Sequence, residues 1–194
     1  MASGVITIPS DAAPRKTRMR IAMSPDGVPP STRGFTNGEA EDYTVYVVQS
    51  PYGAAYGYFQ DYGWINKVEL GTIINQSNEG KCYSDFLQYS TNCRKGTTYQ
   101  IKLTPGFPQG QTNDAYWMVW IDYNYNGSFE DPGENIFIGH GTAMVSGYFT
   151  LPSSFLYYQK TRMRVFMSVY EYPYSSTTGM ENGEVEDYTI NITE

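Results

Sequence analysis

Residues 160–192 read KTRMRVFMSVYEYPYSSTTGMENGEVEDYTINI, and residues 16–47 read KTRMRIAMSPDGVPPSTRGFTNGEAEDYTVYV. Each holds two alternating stretches separated by a turn rich in Pro, Gly, Ser and Thr, the pattern of paired short strands. The likeness extends upstream: Met1 aligns with Met144, Gly4 with Gly147 and Pro9 with Pro152. Repetition this dense marks a structural unit, and only its C-terminal half recurs. The expectation is an excerpt from a longer tandem array that opens in mid-repeat.

Outward from these segments, strands are expected at 4–9, 17–24 and 41–48 in the half-repeat. In the full unit they are expected at 66–72, 82–88, 97–104, 115–122, 135–139, 147–152, 161–169 and 186–192. The organisation expected is therefore a half-repeat at 1–48, a linker at 49–53 and a complete domain at 54–194. Short strands without helical periods predict an all-β fold, an antiparallel two-sheet β-sandwich with jelly-roll-like connections and at most a helical turn near 153–158. The run YWMVWID at 116–122 is apolar on both alternating faces, so it reads as a central strand with Trp117 and Trp120 on opposite sides.

Composition narrows the function. Thirteen basic residues against twenty acidic ones give a net charge of −7 without a basic cluster, which disfavours nucleic acid and anionic membranes as partners. No stretch of about 18 apolar residues suggests membrane insertion. Nineteen Tyr and nineteen Gly among 194 residues suit pleated surfaces and tight turns. The Tyr-rich, acidic, Lys-poor character points to an extracellular setting. There, Cys82 and Cys93 are expected to bridge a short hairpin or surface loop, contributing about 2–3 kcal/mol.

The sharpest local signal is WIDYNYNGSFEDPGE at 120–134. Oxygen-bearing side chains at Asp122, Asn124 and Asn126 alternate inward, Gly127 permits the sharp turn, the Ser128 carbonyl follows, and Asp131 and Glu134 close the loop. That spacing suits Ca²⁺, and hard oxygen donors without His or Cys disfavour zinc. The alternative is an Asn/Asp/Gly turn whose side chains cap the backbone without a metal. A second constellation joins Arg162 and Arg164 to Glu184 and Glu186, read as a cross-strand ladder of structural ion pairs worth about 0.2–1 kcal/mol each, or else as carboxylates that complete a calcium shell.

No active site assembles. His140 is the only histidine and reads as a turn residue, so Ser-His-Asp and Cys-His chemistry lack their base. Aromatics crowd 52–64 and 157–174, either as core and inter-repeat bracing or as exposed platforms for sugar rings or protein partners.

The succession of WIDYNYNGSFEDPGE, TRMRV and GEVEDYTINI resembles the GEVED domain, a module of secreted and surface proteins of bacteria. The resemblance covers about 52–194, with the C-terminal half of another copy at 1–47. It implies a non-catalytic β-sandwich accessory module of large multidomain chains. The family pattern DWNQDG is replaced here by residues that keep oxygen ligands but lower their charge. The function expected is an extracellular or cell-surface calcium-binding repeat in adhesion or filament assembly, partnered by neighbouring repeats or subunits. The alternative is a carbohydrate-binding module of a secreted enzyme, with a glycan as ligand.

Overall fold

The structure, a computed structural model, describes residues 6, 15–32, 34–47, 52–153 and 160–194. The chain divides into two compact units, Met1–Ser50 and Pro51–Glu194. The expected strand at 4–9, apart from Ile6, and the expected helical turn from residue 154 onward lie outside the described residues.

In the first unit, β1 (Arg15–Met23) and β2 (Glu39–Val47) form an antiparallel pair with Arg20 opposite Asp42. The Arg20 guanidinium donates to both Asp42 carboxylate oxygens at 2.7 and 2.8 Å and to the Ser31 carbonyl at 3.2 Å.

The second unit contains β3 (Tyr56–Phe59), β4 (Trp64–Leu70), β5 (Ile73–Asn75), β6 (Tyr83–Arg94) and β7 (Thr98–Gly106). These are followed by β8 (Ala115–Ile121), β9 (Asn135–Gly141), β10 (Val145–Thr150), β11 (Lys160–Val169) and β12 (Gly179–Thr193). One sheet runs β10-β7-β4-β5; the other runs β3-β12-β11-β8-β9, with β6 also on β12. It is a β-sandwich without helices among the described residues. Ile65, Val68, Ile101 and Leu103 of the smaller sheet pack on Trp117, Val119, Met163, Val165 and Ile190 of the larger one. Burying such alternating apolar faces supplies the main stabilisation, about 1.5–3 kcal/mol per large side chain.

The larger sheet is covered on its outer face as well. Trp120, Phe166 and Val185 form a second buried cluster with Ala55, Phe129 and Met180, so β8 is buried on both sides, with Trp117 and Trp120 on opposite faces. Segment 52–55, the loop after β8 and the loop before β12 supply this outer layer.

Two pairings of β12 are parallel, one to β3 at its start and one to β6 over the rest. The Cys82 carbonyl accepts from the amides of Gly57 and Val185 at 3.0 and 3.2 Å, tying both neighbours to β12 where one gives way to the other. This arrangement corrects the expected Cys82–Cys93 bridge: both thiols are free. The intervening residues form one extended strand rather than a hairpin, which sets the cysteines on the order of 30 Å apart. Burial pushes the Cys93 thiol up to about 12.

The expected ladder of Arg162 and Arg164 with Glu184 and Glu186 is also corrected. In the register of β11 on β12, Arg164 faces Asp187 while Val165 faces Glu186 and Met167 faces Glu184. Alternation therefore places both glutamates on the side away from the arginines. Arg164, 2 % exposed at its side chain, donates to both Asp187 oxygens at 2.8 Å, and Arg162 adds a contact to Asp187 at 3.2 Å. Nη1 of Arg164 donates to the carbonyls of Gly53 at 2.8 Å and Ser176 at 2.9 Å.

Removing one partner of such a pair leaves a buried uncompensated charge. Arg164→Ala is expected to cost about 3–5 kcal/mol in urea unfolding followed by tryptophan fluorescence. Arg20→Ala, in the exposed pair of the first unit, is expected to leave that transition unchanged.

Candidate functional site

The loop at 122–134 leaves β8 and returns as β9, and its base is closed by the backbone. The Ile121 amide donates to the Glu134 carbonyl at 2.9 Å, the Asp122 amide to the Arg162 carbonyl at 3.1 Å, and the Thr161 hydroxyl to the Asp122 carbonyl at 2.5 Å. Asp122 and Glu134 are thereby held inside the protein, at 0 and 2 % exposure.

Asp122 organises the turn. Its carboxylate accepts the amides of Asn126 at 3.2 Å and Gly127 at 3.0 Å, and the Tyr52 hydroxyl at 2.7 Å. Gly127 adopts φ 81°, the left-handed region that glycine enters without a Cβ penalty. Asn124 and Asn126 each accept the amide two residues on, at 3.0 and 2.8 Å. Their amide nitrogens converge on Asp131 at 2.9 and 2.6 Å.

Glu134 closes the loop differently. One oxygen accepts the amides of Tyr123 at 2.8 Å and Asn124 at 3.4 Å, while Oε2 is buried without a hydrogen-bond donor. Burial, reinforced by the nearby charges of Asp122 and Asp131, raises this carboxyl to about 7 despite the two backbone donors. The structure thus brings Asp122, Asn124, Asn126, Asp131 and Glu134 into one hydrogen-bonded loop with Ser128, whose hydroxyl accepts the Glu130 amide at 3.1 Å. Among the described residues, no three Asp, Glu, His or Cys side chains gather as a metal cluster by themselves. A cation in this loop would take much of its coordination from amide and backbone oxygens, all hard donors of the kind Ca²⁺ accepts.

The sequence reading missed what holds the loop in place. Tyr52 stacks on Phe129 at 4.4 Å, Arg162 lies over the Tyr52 ring at 4.5 Å, and Arg164 lies over Phe129 at 5.2 Å. Glu130 also accepts the Ser176 hydroxyl and amide, joining this loop to the one before β12. The signal that was present is Asp187, which alternation already sets opposite Glu184 and Glu186 and hence on the arginine face.

Glu184 and Glu186 lie in the inter-sheet core, both at 0 % exposure. Glu184 accepts the Ile65 amide at 3.0 Å and the Ser84 hydroxyl at 3.3 Å. Glu186 accepts the Tyr188 hydroxyl at 2.5 Å, which in turn accepts from Asn75 at 2.9 Å. Burial raises Glu184 to about 8, with the neighbouring Glu186 adding to the shift, and burial raises Glu186 to about 7. These are acids set inside a core, away from the arginines, rather than ion-pair partners.

His140 lies in β9, not in a turn. Its ring stacks on Tyr116 at 5.4 Å, and Nδ1 lies 3.5 Å from Asp114.

Fold and site define a β-sandwich module with an oxygen-rich loop, accompanied by an additional β-hairpin. The GEVED domain family matches residues 1–46 and 116–191, most of the chain, and the protein belongs to that family. The second match spans β8–β12; β3–β7 precede it. No curated protein matches the chain.

The core acids generate a pH dependence with a definite sign. Their folded values lie above the ordinary 4.5, so their stabilisation is complete below about pH 4.5 and is lost as pH rises through about 7 and then 8. Urea midpoints are expected to fall from about pH 5 to about pH 9. Glu184→Gln should flatten this slope and raise the midpoint at the alkaline end, because the amide keeps the shape without the charge.

Proposed function

We propose that the chain is a non-catalytic, extracellular β-sandwich repeat that binds calcium through the 122–134 loop and acts in cell-surface adhesion or assembly. The observation that carries this reading is the buried Oε2 of Glu134, left without a donor beside Asp122 and Asp131. An acceptor in that position is costly unless a proton or a cation satisfies it. Two amide groups already turn their N–H toward Asp131, the local neutralisation that a cation would replace. Asp122, Asn124, Asn126, the Ser128 carbonyl, Asp131 and Glu134 are the residues assigned to hold it. The role of the cation is structural: it would stiffen the β8–β9 connection, whose Asp122 is bonded to Tyr52 and Thr161.

With two amides in place of carboxylates, affinity belongs in the range of extracellular modules, roughly 10⁻⁴–10⁻³ M. Several-millimolar calcium is then expected to add about 1–2 kcal/mol of stability over chelator-treated protein. Differential scanning calorimetry and titration calorimetry check this. Equal melting temperatures in calcium and chelator, or an unchanged response in Asp122→Asn with Glu134→Gln, would show that the loop is only a turn.

A second reading, glycan binding, is favoured by a cleft of about 700 Å³ lined by Tyr58, Phe59, Gln60, Asp61, Trp64 and Glu79. Tyr58 and Phe59 are 60 and 56 % exposed, offering ring faces beside hydrogen-bonding acids. A glycan array is expected to give binding that Tyr58→Ala with Phe59→Ala abolishes; an array without signal rejects this reading and leaves the calcium test untouched.

A further inference from the structure

The β1–β2 hairpin reproduces the β11–β12 hairpin in register and in contacts. Arg20 meets Asp42 as Arg164 meets Asp187; Ile21 faces Glu41 as Val165 faces Glu186; Met19 faces Tyr43 as Met163 faces Tyr188. Even the tightest backbone approach recurs. A Cβ on Gly38 would lie 2.0 Å from the Met23 carbonyl oxygen, and one on Gly183 would lie 2.0 Å from that of Met167. Tyr43 donates to Glu41 as Tyr188 donates to Glu186.

The surroundings are opposite. Val165, Met167 and Tyr188 are 0 % exposed, whereas Ile21, Met23 and Tyr43 are 52, 67 and 44 % exposed. In the second unit β8 pairs with β11, β3 and β6 pair with β12, and the smaller sheet covers the shared face. Among the described residues, β1 and β2 pair only with each other. Among the described residues the hairpin therefore presents two unpaired edges, and its apolar face is already shaped for a known set of strands, the condition for strand addition.

We propose that β1–β2 is a docking element that completes a β-sandwich acceptor equivalent to residues 52–150, with a β8-like strand adding antiparallel to β1 and a β6-like strand adding parallel to β2. The acceptor covers Ile21, Met23 and Tyr43 with an apolar sheet and supplies a backbone amide to Glu39, as Ile65 does to Glu184. In the second unit that place is occupied by β11–β12 itself, so the occupant is a further stretch of polypeptide of the same repeat chemistry. The proposal is independent of the calcium loop, which residues 15–47 do not contain.

The test uses the full chain and, as probe, a polypeptide of residues 52–150 diluted from denaturant into its solution. The expected result is a one-to-one complex on size exclusion, with amide exchange slowed about tenfold or more at Ala22, Ala40 and Asp42, whose counterparts Phe166, Val185 and Asp187 turn toward the neighbouring strands. Full chain carrying Ile21→Lys and Met23→Lys, outside the second unit, should capture about tenfold less probe. Absence of a complex would overturn the proposal. So would equal capture by the variant without new protection in β1–β2, since the probe would then have exchanged onto β11–β12.

Discussion

The guanidinium of Arg164 is the point on which both layers of the larger sheet depend. Taking an arginine out of water is expensive, and the expense is offset when its charge is paired and its donors find acceptors. Here the two Asp187 oxygens take one edge and the carbonyls of Gly53 and Ser176 take the other end. The pair pins β11 against β12: a slip of one residue would carry Glu186 to the arginine face and Asp187 into the core. The same cation gathers the outer layer, because Gly53 enters it from the linker side, Ser176 from the loop before β12, and Phe129 from the oxygen-rich loop. The position of Asp122 follows, since Tyr52 stacks on Phe129 and donates to that carboxylate.

Much of this was legible in the residues. Alternation located most of the strands, the unbroken apolar run set β8 between two cores, and the spacing of Asp122, Asn124, Asn126, Gly127, Asp131 and Glu134 marked one closed loop. Other features left weak signals. Strands β3 and β5 are four and three residues long, too short for a period to register. Strand β6 is an irregularly buried stretch of twelve residues whose mixed pattern reads as a polar loop, which made a local disulfide plausible. Its parallel pairing with β12 joins segments about a hundred residues apart, and nothing local encodes such a partner.

The arginine partners were misassigned for an instructive reason. Two arginines and two glutamates at matching spacing suggest a ladder, and carboxylates are rarely expected to face an apolar core. Here burial favours the protonated form, raising Glu184 to about 8 and Glu186 to about 7. The two copies of the hairpin separate what local sequence controls from what it does not. Register, the Arg–Asp pair, the close glycine contact and the Tyr–Glu bond are the same in both. Burial is imposed only where other strands arrive.

Three treatments of buried carboxylates thus meet around one hairpin. Asp187 is neutralised by a fixed cation within the fold. Glu184 and Glu186 sit among hydroxyls, a backbone amide and apolar side chains, where a proton suffices. Glu134, whose second oxygen meets no donor just as Oε1 of Glu186 meets none, differs in its neighbours: it shares its loop with Asp122, Asp131 and two amides, and the loop is held against the sheet from outside by Tyr52 and Phe129. A proton would quiet Glu134, while Asp122 accepts two amides and the Tyr52 hydroxyl and Asp131 accepts the side-chain amides of Asn124 and Asn126. The loop sets its carboxylates among amide and backbone oxygens, the donor set on which the calcium proposal draws, whereas the core acids meet only hydroxyls, one backbone amide and apolar side chains.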